Sequence, residues 1–87
     1  MAILAAQLTI EDYAKWRSVF DKRKSVREKD GVRSEHVYRN ADNPGEIIVW
    51  LDVADAAKML EAIGGPESKA AMREAGVVGP PKIHVIS

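Results

Sequence analysis

The sequence predicts a single α+β domain in which two helices cover one face of a four-stranded antiparallel sheet. The chain has 87 residues, which is the size of one domain spanning 1–87. Four segments have the apolar patterns of strands, and two have apolar residues at helical spacing. These segments follow one another in the order β-α-β-β-α-β and are separated by turn-forming residues.

The first strand and the first helix occupy the amino-terminal third of the chain. A strand is predicted over 2–10, where one set of alternating residues is fully apolar and the other turns polar. Thr9 then suits a helix N-cap, and a helix is predicted over 11–29 with Gly31 as its stop. Three aromatic residues at helical spacing are expected in the core: Tyr13, Trp16 and Phe20.

The next two strands are predicted to form a hairpin. The mixed polar pattern of 32–40 is typical of an edge strand. The turn formers of 40–45 indicate the connecting loop. The continuous apolar run inside 46–53 predicts a strand that is buried on both faces.

A second helical pattern and a last strand complete the order. A helix is predicted over 54–63, and the Gly-Gly-Pro sequence at 64–66 is interpreted as a kink. The helical pattern then continues to Ala75 and ends at Gly76, and the last strand is expected over 82–87. The complete pattern is that of the split βαβ, or ferredoxin-like, plait.

Composition excludes several classes of function. The 13 basic and 13 acidic residues give no net charge, so binding of nucleic acid or an anionic membrane is not expected. The absence of cysteine removes disulfides, cysteine-ligated metal and thiol catalysis. No secretory signal and no apolar run of about 20 residues is visible, so a cytoplasmic location is expected.

The strand patterns divide the sheet into two faces. One set of positions is strongly apolar and is expected to face the helices: Leu4, Ala6, Leu8, Ile47, Val49, Leu51, Ile83 and Val85. The other set is also largely apolar or aromatic: Ile3, Ala5, Gln7, Ser34, His36, Tyr38, Ile48, Trp50, His84 and Ile86. A patch of about 400 Å² is unusual on a soluble monomer. A homodimer with its sheets packed face to face is therefore expected.

Three stretches of the chain carry a resemblance to a known superfamily. They are Tyr13-x-x-Trp16-x-x-x-Phe20-Asp21, the loop from Tyr38 to Glu46, and Ala71 to Pro81 with its Ala-Gly-Val-x-Gly-Pro-Pro sequence. Together they resemble small bacterial proteins of the dimeric α/β-barrel superfamily, cyclase-like or antibiotic-biosynthesis-monooxygenase-like. The resemblance implies a ferredoxin-like plait and a homodimeric barrel made from two sheets.

The same resemblance implies a range of activities rather than one reaction. Some members are cofactor-independent oxygenases of polyphenolic polyketides, and others cyclise polyketides, degrade haem or dismutate chlorite. Members of the subgroup often have an acid–aromatic pair at the end of the third strand, where this chain has Asp52-Val53. No metal and no organic cofactor is expected.

Two histidines are the candidate catalytic residues. His36 and His84 fall on the second face of the sheet, where they suit a general base or a ligand-orienting pair. The alternative is two hydrogen-bonded or exposed histidines near the sheet edges. Two histidines without a third ligand are a weak signal for a metal.

Four further residues are candidates for binding substrate. Tyr38 and Trp50 suit an aromatic wall or, equally, dimer packing. Asn40 suits an oxyanion partner or a stabiliser of its own turn, and Gln7 lines the same face.

Other notable segments favour structural interpretations. The basic residues between 22 and 29, Arg27 among them, alternate with acids and predict a solvated helix face. The segment 76–81 is expected to cover the pocket mouth or the dimer seam.

Two hypotheses for function follow. The first is a homodimeric enzyme that acts on an aromatic or polyketide-like substrate. The second is a non-catalytic dimeric module that binds a small ligand or a partner.

Overall fold

The computed structural model describes residues 2–86. The four strands form one antiparallel sheet in the order β2-β3-β1-β4, with the helices against one face, so the predicted plait is confirmed. The elements are β1 (Ala2–Thr9), α1 (Tyr13–Lys22), α2 (Lys24–Lys29), β2 (Val32–Arg39), β3 (Glu46–Val53), α3 (Ala56–Ile63), α4 (Pro66–Glu74) and β4 (Lys82–Ile86). β2 lies at one edge of the sheet, so the edge position predicted for the second strand is confirmed. None of the helices in the described range is long and apolar enough to cross a membrane.

The hydrophobic core lies between the helices and one face of the sheet. Ile47, Val49 and Leu51 of β3 are almost completely buried there, and Trp16 of α1 packs with them. Trp50, which points to the other side of β3, is 39% exposed. The prediction that both faces of this strand are buried is therefore wrong for the single chain, because the described helices all lie on the opposite face.

The second face of the sheet, which we call the open face, is formed by three rows of four residues and, at one end, by the pair Thr9 and Glu46. The strand register confirms the two predicted sets, since Trp50 pairs with Ala5 on one side and with His36 on the other. Register also places Asp52 and Lys82 on this face. In the order β2, β3, β1, β4 the rows are Tyr38, Ile48, Gln7, Lys82; then His36, Trp50, Ala5, His84; then Ser34, Asp52, Ile3, Ile86.

The first helix differs from its prediction at its start and in the middle, whereas its predicted end at Lys29 and its stop at Gly31, where φ is +97°, are confirmed. Asp12, not Thr9, is the N-cap, and its side chain accepts a hydrogen bond from the Lys15 amide at 3.2 Å. Thr9 stays in β1 opposite Glu46. The helix breaks at Arg23, where φ is −96° and ψ is 10°. The sequence has no Gly or Pro there that marks the break.

Arg27 is the clearest departure from the predicted solvated helix face. Its side chain is only 11% exposed and lies over the Phe20 ring, with 3.6 Å between Cζ and the ring centroid. Nε and Nη2 donate to the two carboxylate oxygens of Glu35 at 2.7 and 2.9 Å, and Nη1 donates to the Phe20 carbonyl at 2.7 Å. Arg27 therefore ties α2 to the helix-facing side of β2.

The second helical region follows its prediction closely. Asp55 caps α3 by accepting from the Lys58 amide at 3.1 Å, and Pro66 occupies the first turn of α4. Gly76 follows α4 with φ +79°, a conformation that favours glycine. The chain then returns to the sheet, since the Val78 amide donates to the Thr9 carbonyl at 2.8 Å. Of the predicted last strand, Ser87 lies outside the described residues.

Candidate functional site

An array of three aromatic rings lies on the β2 and β3 part of the open face. The His36 and Tyr38 rings are stacked with 6.4 Å between centroids, because they are two residues apart on one strand. Tyr38 meets Trp50 edge to face, also at 6.4 Å. Tyr38 is 53% exposed, so the array offers an aromatic surface to a flat molecule or to another protein surface.

A polar cluster closes one end of the open face. Gln7 Nε2 donates to Glu46 Oε1 at 2.7 Å, and Asn40 Nδ2 donates to the same oxygen at 3.3 Å. Asn40 Oδ1 also accepts from the Asp42 amide at 2.9 Å, so this side chain stabilises its own turn as well. The two amides hold a carboxylate in place beside the aromatic array.

Glu46 was not among the predicted site residues. It is a charged residue at the first position of β3, where it has the same alternation as Ile48 and Trp50. That alternation is the signal that places it on the open face. Its contact with Gln7 joins residues 39 positions apart and depends on the pairing of β1 with β3.

The two predicted catalytic histidines share the open face but do not meet within one chain. His36 is on β2 and His84 is on β4, the two outer strands. Three strand spacings of about 4.8 Å separate them, or roughly 14 Å. They cannot act as a pair on one small group within a single chain.

A cavity of about 150 Å³ lies on the other side of the sheet, between the sheet and the helices. Its wall is mainly apolar, with Arg23, Arg27, Asp30 and Ser68 as polar members. None of the six predicted site residues lines it. The main apolar lining residues are Leu8, Trp16, Phe20, Val49, Leu51, Met59, Ile63, Ala71, Met72, Val77 and Ile83.

Glu35, the partner of Arg27, has a shifted pKa. Hydrogen bonding from Arg27 is the main cause that lowers the pKa of Glu35, and it outweighs the opposing effect of burial. Glu35 is therefore an ionised partner of Arg27 rather than a base for catalysis near neutral pH. Among residues 2–86 no group of three His, Asp or Glu side chains could hold a metal ion.

Solved structures with the same fold are described as antibiotic biosynthesis monooxygenases. A candidate antibiotic biosynthesis monooxygenase from Bordetella bronchiseptica has a TM-score of 0.81 and 11% identity, covering 99% of this chain and 94% of its own. SnoaB, a cofactor-independent oxygenase from Streptomyces nogalater, has a TM-score of 0.75 and 13% identity, covering 99% and 90%. A candidate antibiotic biosynthesis monooxygenase from Caulobacter crescentus has a TM-score of 0.74 and 21% identity, covering 98% and 86%.

No family model and no curated protein matches the chain. The structural likenesses, at 11–21% identity, establish the fold and not the reaction. They confirm the predicted resemblance at that level: this chain has the ferredoxin-like fold of the antibiotic biosynthesis monooxygenase-like proteins.

Proposed function

We propose that this protein is a homodimer that binds a small aromatic molecule and oxidises it as a cofactor-independent, monooxygenase-like enzyme. The observation that carries the proposal is the uncovered open face, with its aromatic array beside the amide–carboxylate cluster. The fold shared with SnoaB supports the oxygenase class. The expected location is the cytoplasm.

A second copy of the chain is the proposed cover for the open face. A standard interface buries about 800 Å² from each partner. Tyr38 and Trp50, at 53% and 39% exposed, offer roughly 150–200 Å² of this between them. Five of the other ten positions in the three rows are exposed and five are partly exposed, so they add to the area that a second copy would bury.

The proposed chemistry uses the residues of the open face. An oxygenase without a cofactor needs a substrate that itself supplies electrons to O₂ after losing a proton. His36 is the proposed general base, with His84 as a second catalytic group. Tyr38 and Trp50 hold the aromatic ring, while Gln7 and Asn40 orient its polar substituents. A CH₂ group then becomes a carbonyl with one oxygen atom of O₂, and the other oxygen atom leaves as water.

Oxygen uptake with 1,8-dihydroxyanthrone tests this proposal. The wild-type protein is expected to consume one O₂ per anthrone, faster than the uncatalysed oxidation. The H36Q variant is expected to lose at least 100-fold in kcat, the usual contribution of a general base. K69Q, an exposed substitution on α4 away from the open face, is the control that should keep the wild-type rate. An unchanged rate in a dimeric H36Q variant contradicts the role of His36, and no uptake by the wild type contradicts the oxidation of this substrate class.

The core cavity supports a second candidate function, which is non-catalytic binding of a small apolar ligand. A cavity of about 150 Å³ is large enough for benzene, whereas pockets for drug-sized ligands measure roughly 300–1,000 Å³. The cavity therefore suits a single ring and the open face suits a larger substrate.

Two neighbouring alanines of α4 test the cavity. Ala71 lines it, whereas Ala70 is exposed beside it, and both lie in the same helix. Toluene is expected to raise the Tm of the wild type and of A70L, since a ligand that binds the folded state stabilises it. A71L fills the cavity and is expected to abolish this rise. A wild-type Tm that toluene leaves unchanged rules out this candidate function.

A further inference from the structure

We propose that the core cavity and a neighbouring surface groove together bind an aliphatic α-amino acid such as leucine. The apolar side chain of the ligand lies in the cavity, Arg23 binds its carboxylate, and Glu67 binds its ammonium group. The inference rests on the second candidate function, because it needs a cavity that admits a small apolar group. It goes beyond that function by naming the ligand class and the two residues that select it.

The groove, which we call the helix groove, lies between α1 and α4. The start of α1 is held beside the end of α4, where the Glu11 amide donates to the Gly76 carbonyl at 3.1 Å. The residues that line the groove are Val19, Lys22, Arg23, Glu67, Ala70, Ala71 and Glu74. Val19, Arg23 and Ala71 also line the core cavity. The groove and the cavity are therefore adjacent, and these three residues lie where they meet.

The charges of the helix groove leave one cation and one anion for a ligand. Lys22 Nζ and Glu74 Oε1 form a salt bridge at 3.3 Å between the two helices. Arg23 and Glu67 form no salt bridge with each other or with any other of the residues 2–86. A cation and an anion that line one groove without pairing complement a ligand that carries one charge of each sign. An α-amino acid carries both charges within a small group of atoms.

Arg23 is the arginine of the cavity wall that keeps its donors for a ligand. It lies at the break between α1 and α2 and is half-buried. Its guanidinium can donate two parallel hydrogen bonds to a carboxylate. Arg27, the other arginine of the wall, donates to both carboxylate oxygens of Glu35 and to the Phe20 carbonyl instead. The carboxylate of a ligand is therefore assigned to Arg23.

Glu67 is a better partner for the ammonium group than Asp30, the acidic residue of the cavity wall. Glu67 lines the same groove as Arg23. Asp30 is the C-cap of α2 and Arg23 is its N-cap, which places them about 10 Å apart along the helix axis. The ammonium and carboxylate groups of an α-amino acid are attached to the same carbon atom. Their two partners therefore have to lie close together, as residues of one groove do.

The core cavity suits an aliphatic side chain in size and polarity. Its volume of about 150 Å³ is large enough for benzene, and the side chain of leucine is smaller than benzene. Leu51, Met59 and Ile63 are among its apolar lining residues. Burial of the ligand side chain supplies the apolar part of the binding free energy. Glycine lacks that part and is expected to bind weakly.

Calorimetric titration with L-leucine tests the site, because three analogues each lack one of the groups that it recognises. Glycine lacks the side chain, 4-methylpentanoate lacks the ammonium group, and 3-methylbutylamine lacks the carboxylate. The wild type is expected to bind L-leucine at one site per chain and each analogue at least about tenfold more weakly. A wild type that binds 4-methylpentanoate as tightly as L-leucine overturns the amino acid class.

Two pairs of variants test the two charged residues. R23Q and E67Q are each expected to weaken the binding of L-leucine at least about tenfold. K24Q and E61Q are the matched controls, because they remove exposed charges of the same sign that line neither the groove nor the cavity. Both controls are expected to bind L-leucine like the wild type. Unchanged binding by R23Q or by E67Q overturns the role of that residue.

Toluene separates a failure of this site from a failure of the cavity. R23Q and E67Q are expected to keep the rise in Tm that toluene causes in the wild type, which identifies them as folded proteins with an accessible cavity. A wild type that binds toluene but not L-leucine overturns the amino acid site and leaves the second candidate function standing. A wild-type Tm that neither toluene nor L-leucine raises overturns both.

Discussion

The I47A substitution is expected to lower the free energy of unfolding by about 3–4 kcal/mol. Ile47 is completely buried in the core between β3 and the helices. Removing its side chain loses apolar burial and leaves a cavity that the neighbouring residues fill only in part. In a domain of this size the Tm should fall by roughly 12–30 °C, which thermal unfolding measured by circular dichroism checks.

Ile48 supplies the matched control for this experiment. It has the same side chain as Ile47 and lies next to it in β3, but it points to the open face. I48A is expected to change the stability of the single chain little and to weaken the proposed dimer by about tenfold, as a lost interface contact of roughly 1.4 kcal/mol would. Urea unfolding at two protein concentrations separates these effects, since only dimer dissociation depends on concentration. Similar losses of chain stability in both variants would contradict the register of β3.

The second large effect is expected when the ion pair between α2 and β2 is broken. R27M leaves the Glu35 carboxylate, which is only 21% exposed, without its charged partner. The expected cost is about 3 kcal/mol, the lower end of the range for buried pairs that lose one member. The R27M/E35L double variant should be more stable than R27M, because no unpaired charge remains in it. Urea unfolding of the wild type, R27M, E35L and the double variant measures this double-mutant cycle. If the stability losses of the two single variants simply add up in the double variant, the two side chains are not coupled.

The same ion pair predicts a pH dependence of stability. Hydrogen bonding from Arg27 lowers the pKa of Glu35 in the folded state below the ordinary value of 4.5. The pair therefore contributes fully above about pH 4.5, and its contribution is lost as the pH falls through the folded-state pKa. E35Q is expected to be less stable at pH 7 and to lose less stability than the wild type between pH 5 and pH 2.5. Parallel acid-unfolding curves for the two proteins would contradict this role of Glu35.

Most of the fold could be predicted from local patterns in the sequence. Residues alternate between the two faces of a strand, so the apolar spacing around Val49 and Leu51 was sufficient to assign both faces of the sheet. The turn formers between Asn40 and Glu46 placed the hairpin, and the bounds of β3 were predicted without error. The start of α1 was predicted less accurately. Thr9 and Asp12 are both good N-cap residues, and Thr9 is the last residue of β1 instead.

The candidate site could be predicted only in part. Alternation assigned Gln7, His36, Tyr38, Trp50 and His84 to one face, and the register confirms that assignment. Their catalytic and binding roles stay predictions. The distance between the histidines could not be predicted from alternation, because it depends on which strands lie at the edges of the sheet.

The sequence by itself determined the order of the elements and the face on which most strand residues lie, because both follow from local periodicity. The exception is the register shift between Val32 and Ser34 in β2. Only the tertiary structure decided which distant residues meet. It brought Gln7 to Glu46, buried Arg27 against Glu35, and formed a cavity between the sheet and the helices. These contacts depend on strand pairing and helix packing, in which the partners are far apart along the chain and local patterns carry no information about them.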